Sequence, residues 1–153
     1  TIKSRNGIFG IVDYAHTPDA LNQVISSISN FCDLIKDLII VVGCGGNRDQ
    51  GKRADMAKIA SENSKIAIFT SDNPRLENPK SIISDMLQGV EENVQNKVQT
   101  IIDREAAIHF AVKSAEIGSI VLVVGKGHEK YQDVNGQKIP FDDYKILKKL
   151  LKK

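Results

Sequence analysis

The chain has 153 residues, the size of one domain, and at that length roughly 70% of the unfolded surface can be buried on folding. Apolar residues make up 41% and charged residues 26%, with 21 Lys and Arg against 19 Asp and Glu for a formal charge of +2, which excludes general disorder and gives no global basic field for nucleic acid. Two cysteines, Cys32 and Cys44, exclude a disulfide scaffold and a clustered zinc site, no apolar stretch approaches the roughly 20 residues of a membrane span, and the opening TIKSRNG lacks a signal peptide's apolar core, so a soluble cytoplasmic protein is expected.

In chain order, short runs rich in Ile and Val recur at 8–12, 38–42, 66–70, 98–102 and 120–124, and their continuous hydrophobicity predicts strands buried on both faces. Segments of helical period lie between them. Thr17-Pro18-Asp19 reads as N-cap, N1 and N2 of a helix carrying Leu21, Val24, Ile25 and Ile28. Met56, Ala57, Ile59 and Ala60 mark the next stripe. Asn78-Pro79 opens a third, with Ile82, Ile83, Met86, Leu87 and Val90. Asp103 opens a fourth, with Ala107, Ile108, Ala111, Val112 and Ala115, closing near Gly118. The last begins at Asp142-Asp143, turns Ile146, Leu147, Leu150 and Leu151 inward, and ends in lysines that suit its C-terminal dipole. That basic tail lacks interleaved aromatics and reads as a solvated helix end, not a nucleic-acid site.

Alternating strands and helices predict an α/β fold with a mostly parallel sheet and helices on both faces. Such sheets bind ligands beyond the carboxyl ends of their strands. The segments there are DYAHTPD (13–19), GCGGNRDQGKR (43–53), SDNPR (71–75), DREAA (103–107) and GKGHE (125–129). All five should meet at one edge. It would hold Arg48, Lys52, Arg53, Arg75, Arg104, Lys126, His16 and His128 among Asp13, Asp49, Asp72, Asp103 and Glu129, a mixture suited to a phosphorylated or zwitterionic ligand.

Each motif has a plain reading beside its functional one. GCGGNR fails as a dinucleotide fingerprint because Arg48 stands where the third glycine belongs, and 46–52 fits G-x-x-x-x-G-K but is followed by Arg53 instead of the Ser or Thr that would hold magnesium. What is left is a glycine turn that either offers backbone N–H groups and cations to an anion or simply joins a strand to a helix. Asp13 and His16 either flank a nucleotide or cap their own loop. Asn73 precedes Pro74 and is biased to extended backbone, which stiffens the turn holding Asp72 and Arg75. Lys126, His128 and Glu129 follow the most hydrophobic strand, a position that favours function over structure. Cys44 reads as a small buried thiol, and Asp103 as an N-cap with Arg104 exposed beside it.

Taken together, DYAHTPDAL, GCGGNRDQGKR, TSDNPR and VLVVGKGHEKYQ, in this order and at these intervals, closely resemble the C-terminal domain of the Mur ligases, and among them those that add diaminopimelate in peptidoglycan synthesis. The resemblance implies a Rossmann-like domain over 8–153, with 1–7 a hinge remnant and with the family's N-terminal UDP-binding and central ATPase domains absent. It implies an ATP-dependent ligase as the full-length, monomeric protein, acting on meso-diaminopimelate and UDP-N-acetylmuramoyl-dipeptide without nucleic acid or membrane, and with Mg2+ held mainly by the central domain. By motif, Asp13 would contact the ATP ribose and His16 the polyphosphate. Arg48, Asn73 and Arg75 would bind diaminopimelate carboxylates with Asp72 beside them, and the Gly125 carbonyl and Glu129 an ammonium group. Lys126 and His128 would lie near the site. No catalytic group is assigned beyond His16, Lys126 and His128 as candidates, and no metal ligand. A folate-polyglutamylating ligase shares the domain type but lacks the D-N-P-R turn, and a non-catalytic nucleotide-binding α/β module would share the strand order.

Overall fold

Leu38–Cys44 forms β3, the centre of the sheet, and its first six residues are buried because parallel neighbours flank it on both edges and helices cover both faces. The computed structural model describes residues 1–153. The other strands are β1 (Ile2–Lys3), β2 (Phe9–Asp13), β4 (Ile66–Ser71), β5 (Val98–Thr100) and β6 (Ile120–Val124), with a separate hairpin of β7 (Tyr131–Val134) and β8 (Gln137–Pro140). The six-stranded sheet runs β1-β2-β6-β3-β4-β5 and is parallel except for β1. β6 thus returns to the slot between β2 and β3, and the crevice beyond the strand ends opens around it.

Alternation along the strands builds two cores. Leu38, Ile40, Val42, Phe69, Leu122 and Val124 face α1 (Pro18–Ser29), α3 (Gly51–Glu62) and α4 (Pro79–Leu87). Ile39, Val41, Ile68, Val121 and Val123 face α5 (Arg104–Ser114) and α6 (Asp143–Leu151). The expected caps are in place: Thr17, Asn78, Asp103 and Asp142 accept from the N–H groups of Ala20, Lys80, Ala106 and Lys145.

The α/β architecture expected from the alternating pattern is the one found. Four elements go beyond it: β1, the short α2 (Leu34–Asp37), a 3-10 turn at Glu92–Lys97, and the β7–β8 hairpin. They are short, polar or at edges, so they carry no apolar periodicity. The fifth strand stops at Thr100, two residues before the apolar run ends, and α5 stops at Ser114, short of Gly118. No helix is long and apolar enough to cross a membrane.

Candidate functional site

Four of the five loops meet around a cavity of about 300 Å³ at the carboxyl ends of the strands. Tyr14 and His16 come from the loop after β2, Gly43 and Cys44 from the end of β3, Gly45, Arg48 and Asp49 from the loop after it and Lys52 from the start of the helix that follows, Asp72, Asn73 and Arg75 from the loop after β4, and Gly125 and Glu129 from that after β6. The fifth segment does not reach it. Arg104 was expected to be exposed beside Asp103 and is instead 1% exposed, lying underneath.

The turn after β4 is held by three partners. Asn73 Oδ1 accepts from Lys126 Nζ at 2.6 Å and from the Asp133 N–H at 2.9 Å, so the amide NH2 is the part left for the cavity. Gln132 Nε2 donates to the Asp72 carbonyl at 2.8 Å. Arg75 has φ +53°, and its own N–H and carbonyl pair with Asp133 and Asn135, latching the turn to the hairpin. Its Nη1 donates to the Gly46 carbonyl at 2.9 Å and to the Asn73 carbonyl at 3.4 Å, which leaves Nε and Nη2 without a protein partner.

Lys126 is fully buried and lies beneath the cavity. Its Nζ also reaches Asp72 Oδ1 at 3.3 Å and Glu129 Oε1 at 3.4 Å, so one ammonium gathers two of the three carboxylates that line the cavity, Asp49 being the third. Gly125 allows this convergence: its φ is +113°, and a Cβ there would collide with Asp72 Oδ2.

In the glycine loop three N–H groups are spent inside the protein: Gly46 donates to the Asn73 carbonyl, Asn47 to Glu77 Oε1 and Gly51 to Asp49 Oδ1. Side chains add the loop's cations. Arg48 is exposed, with one long 3.5 Å contact to the Asn47 carbonyl, and Lys52 has no partner, so both are free cations. Arg53, expected among the ligand-facing cations, is 1% exposed and ties the loop down through the Gly45 carbonyl, Glu77 at 2.9 Å and Asp85 at 2.9 Å. Cys44 also lines the cavity, where burial and then the Asp72 charge push its thiol up to about 12, so it stays protonated.

Asp13 does not line this cavity. Its Oδ1 accepts from the Ala15 N–H at 2.8 Å, and the residue borders an adjacent hollow with Tyr14 and His128. Tyr14 packs edge-on to His16 at 4.9 Å and stacks on His128 at 6.0 Å, placing both imidazoles at the rim. Gln132 and Asp133 had no functional reading in the sequence, whereas Arg53 and Arg104, read there as cations of the ligand-binding edge, are buried and brace the site from beneath.

Residues 1–127 match the family described as Mur ligase, glutamate ligase domain. The chain belongs to this family. It is 50% identical over 149 residues to the UDP-N-acetylmuramoyl-L-alanyl-D-glutamate--2,6-diaminopimelate ligase of Bacteroides thetaiotaomicron, covering 97% of this chain and 31% of that protein. It is 54% identical over 133 residues to the ligase of the same name from Listeria monocytogenes, covering 87% of this chain and 26% of that one. A solved structure of a ligase of that name superimposes with a TM-score of 0.90 at 40% identity, over 99% of this chain and 30% of the other. This Mur ligase chain therefore spans about a third of the length of such relatives.

Proposed function

We propose that this chain is the amino-acid-receiving domain of a cytoplasmic, ATP-dependent ligase that joins meso-diaminopimelate to UDP-N-acetylmuramoyl-L-alanyl-D-glutamate. In that reaction a glutamate carboxylate oxygen attacks the γ-phosphorus of ATP, giving an acyl phosphate and ADP. The amine of diaminopimelate then attacks the acyl carbon, the C–O bond to phosphate breaks, and an amide forms. Half of such an enzyme's task is to hold the incoming amino acid still.

The observation that carries this reading is the cavity's division of charge. Arg48, Lys52, the free edge of Arg75 and the Asn73 amide supply donors for carboxylates. Asp72, Glu129 and the Gly125 carbonyl supply acceptors for an ammonium group. Guanidinium forks match carboxylates bidentately, so a zwitterion with an extra carboxylate fits this set. His16, at the rim, and Asp13, in the adjacent hollow, are the residues that would meet ATP. No group of three or more His, Cys, Asp or Glu side chains is placed to hold a metal ion, so these residues form no all-protein metal cage and no step here runs through Mg2+.

Arg75 is the residue that separates diaminopimelate from lysine, which lacks the second carboxylate. Removing one partner of a buried charge pair costs roughly 2 to 5 kcal/mol, so Arg75→Ala in the full-length ligase should lower kcat/KM for diaminopimelate by about 30-fold to several thousandfold. Steady-state kinetics with both amino acids test it. A wild type that prefers lysine, or a variant that keeps its diaminopimelate activity, overturns the assignment.

A further inference from the structure

We infer that Arg104 and Asp143 are positioning residues that set the spacing between the two loops carrying the ligand groups, an inference that rests on the ligase reading above. β4 and β6 are not neighbours, because β3 lies between them. Ser71 ends β4 just before Asp72, and Val124 ends β6 just before Gly125. Arg104 Nη1 donates to the Ser71 carbonyl at 3.0 Å and Nη2 to the Val124 carbonyl at 3.0 Å, so one planar group ties both strand ends together beneath β3.

The other edge of the guanidinium is fixed as firmly. Nε meets Asp143 Oδ1 at 2.8 Å and Nη2 meets Asp143 Oδ2 at 2.7 Å, with both side chains at 0% exposure. Asp143 sits in the first turn of α6, which Leu147 and Leu151 seat in the core. The aim of the fork is thus referenced to a helix outside the site. On the far side, Lys126 joins the same two loops through Asp72 and Asn73. Between them lies Gly43, where a Cβ would stand 2.6 Å from the Thr70 carbonyl oxygen and 2.8 Å from the Asp72 nitrogen. Apolar residues could fill the buried space at similar stability, so a paired charge here is explained by geometry, not by energy alone. A lysine could keep the ion pair but could not reproduce the fork's reach to two carbonyls.

The test uses the full-length ligase with Arg104→Lys, and with the double variant Arg104→Met/Asp143→Leu, which leaves no buried charge unpaired if the single variant unfolds. The KM for diaminopimelate should rise by about tenfold or more while those for ATP and the UDP-sugar dipeptide stay within about twofold. Amide hydrogen exchange should accelerate by about tenfold at both 72–75 and 125–129, with the β3 interior unchanged. Loops that exchange at wild-type rates overturn the inference whatever the kinetics, and so does a uniform acceleration of the sheet or a parallel rise in all three KM values. A wild type inactive with diaminopimelate would overturn the ligase reading alone, since the exchange result still decides the role of Arg104.

Discussion

At Asn73 a single carboxamide is oriented by an ammonium from one loop and a backbone N–H from the hairpin, and its function follows from which end is left over. Asn73→Asp keeps the acceptor for Lys126 but replaces the ligand-facing donor with negative charge. The expected result is a loss in kcat/KM for diaminopimelate of at least about tenfold, with thermal stability close to wild type. Unchanged kinetics would show that the amide does not face the ligand. Cys44 makes a separate prediction. Its thiol ordinarily titrates at 9.0 and is held to about 12 in the folded chain, so above pH 9 the unfolded state loses a proton that the folded state keeps. The contribution is full below pH 9 and is lost as pH rises toward 12. Cys44→Ser should therefore flatten the alkaline fall in stability relative to wild type, measured by denaturant melts across pH. Alkylation of Cys44 at pH 8 should likewise be slow, because the thiolate is the nucleophile.

At the scale of elements, the two arginines that brace the site show what the sequence offered. Arg53 stands three, four and seven residues before Met56, Ala57 and Ala60, and Arg104 stands at the same offsets before Ala107, Ile108 and Ala111. Each heads the buried stripe of its helix, and both are 1% exposed. Periodicity points them inward, yet their charge suggested the surface, because the partners that permit a charge in the core come from residues 24 to 39 positions away. The strands, the caps and the four loops that meet were legible, since apolar runs and Thr-Pro, Asn-Pro and Asp signals are local. The latch between Arg75 and the hairpin was not, as it runs through the backbone of Asp133 in β7 and of Asn135 in the turn, and the uniformly half-buried β7 and exposed β8 have no apolar alternation to read. Arg53→Met should cost about 3 kcal/mol in urea unfolding, the low end for one partner of a buried pair, because Glu77 and Asp85 can reach water. Glu77 adds a pH signature. Hydrogen bonds from Arg53 and then from the Asn47 N–H hold its carboxyl below the ordinary 4.5, so its contribution is present above pH 4.5 and is lost as pH falls through the folded value. Glu77→Gln should flatten that acid slope, and an identical slope would mean the bracket between the glycine loop and the turn is not formed.

For the whole molecule, the same loop packing that shapes the amino-acid site limits what the domain does alone. The glycine loop has committed the N–H groups of Gly46, Asn47 and Gly51, and Arg53 follows Lys52 and points down into its ion pairs, so the loop lacks the hydroxyl of a nucleotide-hydrolysing turn. Polyphosphate would meet the side chains of Arg48 and Lys52 and the rim imidazoles, with no Walker-type serine or threonine beside them. The two cores on either face of the sheet are complete, with Leu38, Ile39, Ile40, Val41 and Val42 all fully buried between them. The 153-residue chain should therefore unfold cooperatively on its own while releasing no phosphate from ATP and forming no amide, with or without diaminopimelate. A coupled phosphate-release assay on the purified chain, alongside a thermal melt, measures both halves. Phosphate release above background would place ATP chemistry within these residues and contradict the division of labour proposed for the ligase.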